Sequence, residues 1–122
     1  MRLGRNIFLA VLMAGLAGIG LAAAPSASAK VYGPESCANG TMAIIHGSAR
    51  QCFSWDGVHG GSRSGSYLLV NDWYDHVNAG IYHLTVSWHD TRTGAWYAPP
   101  AVPGQTLAQP TSDCILYSIT FN

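Results

Sequence analysis

The chain has 122 residues, with six basic and six acidic side chains and no net charge when histidine is neutral. Only 10% of its residues are charged and no basic stripe is present, so nucleic acid and anionic membrane are not expected partners. Its length allows one ordinary domain.

The N-terminus reads as an address. Arg2 and Arg5 precede an apolar run from Ile7 to Leu16 that continues through small residues to Ala24, Pro25 breaks the run, and Ala27-Ser28-Ala29 ends it. A positive start, an apolar centre and an Ala-x-Ala ending are the marks of a secretory signal peptide over residues 1–29. Gly15, Gly18 and Gly20 and the short apolar centre argue against a membrane anchor. The mature protein is therefore expected outside the cell, without a membrane span, starting at Lys30. Cleavage after Ala29 leaves 93 of the 122 residues, with four basic and six acidic side chains.

Residues 30–40 contain Gly33, Pro34, Asn39 and Gly40 and read as an extended N-terminal arm leading into a domain over 41–122. Thr41 to His46 is short and apolar, and Gly47-Ser48 signals a turn. Gln51 to Trp55 reads as a strand ended by Asp56-Gly57, and Gly60 to Gly65 reads as a loop. A brief apolar strand, Tyr67 to Val70, precedes a polar-aromatic run, Asn71-Asp72-Trp73-Tyr74-Asp75-His76. From Ile81 to His89, Tyr82, Leu84, Val86 and Trp88 alternate with His83, Thr85, Ser87 and His89. Period-two alternation of this length predicts a strand half buried in a sheet. Asp90 to Gly94 makes a turn and Ala95 to Ala98 returns from it, a hairpin. Pro99, Pro100 and Pro103-Gly104 are expected to forbid regular structure. At the end, Ile115, Tyr117, Ile119 and Phe121 alternate with Leu116, Ser118 and Thr120, predicting a second half-buried strand with the former set inward. No apolar stripe has a helical period. The fold class is all-β, a small antiparallel sandwich or barrel of about six or seven strands.

Cys37, Cys52 and Cys114 permit one bridge and one leftover thiol. Cys37–Cys52 would close a loop of about 15 residues, worth roughly 3 kcal/mol in the chain-entropy model. Cys37–Cys114 would instead tie the two ends of the domain together. The first pairing is preferred, with Cys114 as a buried small side chain.

For catalysis the signals are poor. No Gly-x-Ser-x-Gly elbow marks a nucleophile, and the single mature glutamate, Glu35, lies in the arm. Asp56, Asp72 and Asp90 read as turn formers that accept from nearby amides. His83 and His89 share a face but stand roughly 20 Å apart along their strand, too far to share a metal ion. Asp75 and His76 can approach His83 through the Asn78–Gly80 turn, yet the spacing matches no zinc pattern. A non-enzyme without cofactor or metal is expected.

Binding has positive signals. Trp73 and Tyr74, flanked by Asp72, Asp75 and His76 outside any alternation, have the composition of an interface anchor. Trp73, Tyr74, Asp75 and His76 are the candidate partner-binding residues; the alternative is that Trp73 caps the core. The expected partner is another secreted protein, with the chain acting as an adaptor or assembly subunit of a secreted complex, toxin particles included, or as an inhibitor. Carbohydrate is the second candidate, stacking on Trp55 beside Asp56 or on Trp73-Tyr74-Asp75.

Leu84-Thr85-Val86-Ser87-Trp88, then Asp90-Thr91 and Gly94, Trp96-Tyr97-Ala98 and Pro103-Gly104-Gln105, together with the Cys37–Cys52 spacing, resemble small secreted actinobacterial β proteins of the tendamistat α-amylase inhibitor type. The resemblance covers about a third of the mature chain and implies a β-sandwich. That family's inhibitory Trp-Arg-Tyr triplet is absent, with Ile44-Ile45-His46 in the same interval, and so is its second bridge. Amylase inhibition is not implied.

Overall fold

The computed structural model describes residues 30–61 and 64–122. The expected signal peptide lies outside the described residues, as do Ser62 and Arg63 of the glycine-serine loop. The described residues contain no helix long and apolar enough to cross a membrane.

The architecture is all-β, with two five-stranded antiparallel sheets that do not close into a barrel. Among the described residues ten strands follow one another: β1 (Val31–Glu35), β2 (Met42–His46), β3 (Ala49–Trp55), β4 (Ser66–Asp72), β5 (His76–Asn78), β6 (Leu84–Asp90), β7 (Trp96–Tyr97), β8 (Pro100–Ala101), β9 (Thr106–Ala108) and β10 (Cys114–Phe121). The first sheet has the order β9-β5-β2-β3-β1. The second has the order β4-β10-β6-β7, with β8 also paired to β6. The count exceeds six or seven because β5, β7, β8 and β9 are two or three residues long. Pieces that short carry no periodicity of their own and exist only through their neighbours.

The prolines illustrate this. Pro100–Ala101, expected to be irregular, pairs with Leu84–Thr85 on the edge of the second sheet. Pro99 supplies only its carbonyl, accepting from the Val86 N–H at 3.0 Å. An edge strand can spare an N–H, which makes proline acceptable there. The arm is likewise held in place. Val31 and Tyr32 pair with Trp55 and Ser54, and Asp56 accepts from the Lys30 backbone N–H (2.8 Å) and the Tyr32 hydroxyl (3.0 Å). Asp56 thus fastens β1 across 26 residues, beyond the local turn role expected of it.

The alternation over 81–89 is realised. Tyr82, Leu84, Val86 and Trp88 are buried, and the residues between them are half-buried on the outer face. Met42, Ile44, Phe53, Trp55 and Val77 of the first sheet pack against them, with Leu116, Ile119 and Phe121 completing the core. Trp55, Tyr82 and Phe121 form an aromatic knot with ring centroids 5.3–6.3 Å apart. Its one hydroxyl is used fully: Tyr82 Oη donates to the Gly40 carbonyl (2.6 Å) and accepts from the Trp55 N–H (3.0 Å). Gly80, just before this strand, has φ +60° and faces the Thr41 carbonyl, into which a Cβ would run. No other residue type fits there.

The last strand departs from expectation. Leu116 pairs with Trp88 but Ser118 with Ser87, so β10 carries a bulge at Tyr117. The extra residue swaps the faces. Cys114 and Leu116 point inward before it and Ile119 and Phe121 after it, whereas Ile115 and Tyr117 are only half-buried. The expectation of Ile115 and Tyr117 as core residues is corrected.

Cys37 and Cys52 form the disulfide, and Cys114 is a buried free thiol. Cys114 lies opposite Asp90 at one end of the sandwich. Asp90, the turn former expected, is also buried. Its Oδ1 accepts from the Arg92 and Thr93 N–H groups, both at 2.9 Å, and its Oδ2 from the Thr111 hydroxyl at 2.8 Å. These bonds, the Thr93 amide first and the Thr111 hydroxyl next, hold its carboxyl at a pKa of about 2, against the upward pull of desolvation.

Candidate binding site

Trp73 to His76 connects the sheets, running from the end of β4 into β5, and backbone geometry sets its course. Between the pairs Ser118–Leu69 and Leu116–Asp72, β4 uses one residue more than β10. Within that interval Asn71 has φ 49°, a left-handed conformation that asparagine tolerates better than most side chains. The chain turns there, and Asp72 Oδ1 accepts from the Trp73 N–H at 2.7 Å, the local bond expected of Asp72.

Two further bonds hold the segment to the first sheet: Asp75 N–H donates to the Ile45 carbonyl and Gln109 N–H to the Asp75 carbonyl, both at 2.8 Å. The Asp75 side chain continues this. Its Oδ2 accepts from the Gly47 N–H in the β2–β3 turn at 3.0 Å, and its Oδ1 lies 2.8 Å from Nδ1 of His76. The Gly47 amide and then the His76 ring hold the Asp75 carboxyl below the usual carboxylate range; desolvation opposes them and nearby His46 adds a smaller downward effect.

On this frame Tyr74 packs against the core while Trp73 stands out, 47% exposed. Three shallow depressions open to solvent meet at Tyr74. One of about 330 Å³ runs from His46 past Arg50 and Gln51 to Asp72 and Trp73. A second, of about 200 Å³, is lined by His46, Trp73, Asp75, Gln109 and Ser112. The third, of about 390 Å³, continues between β3 and β4 over Phe53, Leu68 and Asp72. Trp73 thus borders two of the three, as a ridge beside two clefts.

All four candidate residues therefore belong to one surface, with distinct parts. Trp73 offers ring area, Tyr74 roots the segment in the core, and Asp75 with His76 forms the brace. Trp73 as a core cap does not fit its exposure. Sequence reasoning missed Arg50, Gln51, Gln109 and Ser112, which arrive from β3 and from the connection between β9 and β10. Nothing local announces such neighbours; only Asn71, inside an otherwise extended stretch, hinted that β4 bends. Trp55 is a correction. It is buried and its indole packs on Phe121, so it offers no stacking platform beside Asp56.

No protein-family model matches the chain, and no curated protein or solved structure matches it significantly. Among the described residues no group of three or more His, Cys, Asp or Glu is placed to hold a metal ion.

Proposed function

We propose that this chain is a secreted, non-catalytic protein-binding module, an adaptor or assembly subunit of an extracellular complex or an inhibitor of an extracellular enzyme, and that it docks through the Trp73 surface. The observation that carries this reading is Trp73 itself, an exposed indole beside two open clefts, on a segment braced at Asp75 and rooted at Tyr74. Exposed aromatic anchors on rigid loops contribute large area at low entropy cost and dominate many protein interfaces. The clefts on either side suit side chains of a partner, and Arg50, Asp72, Gln51 and Gln109 supply a polar rim. The disulfide and the signal-like N-terminus support an extracellular setting. The likeness to tendamistat-type proteins enters only as a small secreted scaffold.

The test starts from the culture medium of the native host, with the immobilised protein in the form its host produces. Proteins retained by the wild type but not by Trp73→Ala are identified, and the affinity of the purified partner is measured for both. Loss of an anchor of this kind weakens binding by about thirtyfold, near 2 kcal/mol. An unchanged affinity, or a Trp73→Ala variant that melts far below the wild type, removes the basis of the reading.

A further inference from the structure

The outer face of the second sheet is a second surface, joined to the Trp73 segment through β4, whose Leu69 also lines the third cleft, and it is not needed for the function just proposed. It presents Thr85, Ser87 and His89 of β6, and His83 just before that strand, each half-buried. The register sets Thr120 and Ile115 of β10 opposite Thr85 and His89 on this face, while Ser118, opposite Ser87, is itself buried. Beyond β10, Tyr67 and Leu69 of β4 lie opposite Thr120 and Ser118, and on the other flank Trp96 of β7 lies opposite His89. The bulge turns Tyr117 out into the same face.

The rings support one another. His89 lies flat on the Trp96 indole, centroids 4.2 Å apart and planes 21° apart. Tyr117 meets Trp96 edge-on at 5.1 Å and 89°. Tyr67, Leu69 and Trp96 remain 54%, 58% and 56% exposed. Packing that holds rings in place while leaving them accessible lowers the entropy cost of binding.

Charge and size narrow the occupant. None of the outward residues of β4, β10, β6 and β7 just named is Asp, Glu, Lys or Arg. Arg92 and Asp113, in the flanking connections, pair with each other at 2.8 Å. A charged partner finds no counter-charge there. Four strands about 4.8 Å apart span about 14 Å, and the five steps from Ile115 to Thr120 span about 17 Å, roughly 240 Å² in plan. A stable protein interface takes about 800 Å² from each partner, so neither a second copy nor another protein is held by this face alone. Rings interleaved with hydroxyls suit a neutral sugar chain. The C–H faces of pyranose rings are apolar with slightly positive hydrogens, complementary to the negative face of an aromatic ring. Thr85 Oγ1 already accepts from Asn122 Nδ2 at 2.9 Å, which leaves its own proton to donate outward.

We propose that this face binds a neutral polysaccharide, with pyranose rings laid across Trp96, Tyr117 and Tyr67 and sugar hydroxyls met by Thr85, Ser87, Thr120 and His89. The chain then has two contact surfaces that adjoin along β4, and an adaptor gains from the second by holding its protein partner at a polysaccharide.

Depletion of the protein from solution by microcrystalline cellulose and by chitin, in low and high salt, tests this. The wild type should partition onto at least one of them with little dependence on salt. Trp96→Ala should lower the partition coefficient about tenfold or more and Tyr67→Ala should lower it too, while Trp73→Ala binds as the wild type does. Melting curves accompany the assay; if Trp96→Ala proves unfolded, Tyr67→Ala decides. Failure of both polysaccharides to retain the wild type overturns the proposal, as does equal retention of all variants. Light scattering provides the last check: a dimer that Trp96→Ala or Tyr67→Ala converts to monomer would make the face a self-contact and overturn the proposal. A loss confined to Trp73→Ala would also overturn it, moving polysaccharide binding to the Trp73 surface.

Discussion

Replacing Trp88 by alanine is the sharpest test of how this domain is held together. Trp88 is fully buried at the centre of β6, opposite Leu116 on one side and Tyr97 on the other. A buried aromatic side chain removes about 150–250 Å² from water, worth about 4–6 kcal/mol at 25 cal/mol per Å². A realistic unfolded chain already hides part of that area, which brings the figure to about 3–5 kcal/mol. This agrees with the usual cost of truncating a core tryptophan. At about 4–8 °C per kcal/mol for a domain of this size, Trp88→Ala should lower the melting temperature by roughly 12 °C or more. The neighbouring Ser87 points to the outer face, so Ser87→Ala should stay within about 0.5 kcal/mol. The Trp88 Nε1–H finds no hydrogen-bond acceptor, so Trp88→Phe, which removes that donor, should cost clearly less than Trp88→Ala. Chemical denaturation followed by circular dichroism measures all three. Equal costs at positions 87 and 88 would refute the assignment of faces on which the core rests.

Three further outcomes follow from the geometry. Cys37→Ser with Cys52→Ser should lose roughly 3 kcal/mol in denaturant melts, the value for a loop of 15 residues, while alkylation of the native wild type leaves buried Cys114 unmodified until unfolding. Asp90 has its pKa depressed to about 2 from an ordinary 3.8, so its stabilising effect is full above pH 4 and fades as pH falls through 2. Melting temperature measured across that window should drop more steeply for the wild type than for Asp90→Asn. Asn71, with φ 49°, should accept glycine with little change. Asn71→Val should lower stability by about 1 kcal/mol or more and shift the amide resonances of Trp73 and Tyr74.

Where the physics is local, residue order by itself determined the outcome. Alternation over Ile81–His89 marked the central strand because a half-buried sheet imposes period two on whatever sequence occupies it. The two glycine-containing turns around it and the short spacing of Cys37 and Cys52 were legible for the same reason. Tertiary structure alone decided the rest. The bulge that turns Tyr117 outward is created by mismatch between β10 and its neighbours, and no alternation within β10 can report it. Pro100 enters a sheet because it falls on an edge, a property of the assembled sheet. Trp55 beside Asp56 and Trp73 beside Asp72 were both candidate platforms for a sugar ring. Trp55 is covered by Phe121 from 66 positions away, whereas Trp73 stays 47% exposed. Burial is a sum over contacts distant in sequence, so the chain could nominate its aromatic anchors, and only the packing of one sheet on the other could choose between them.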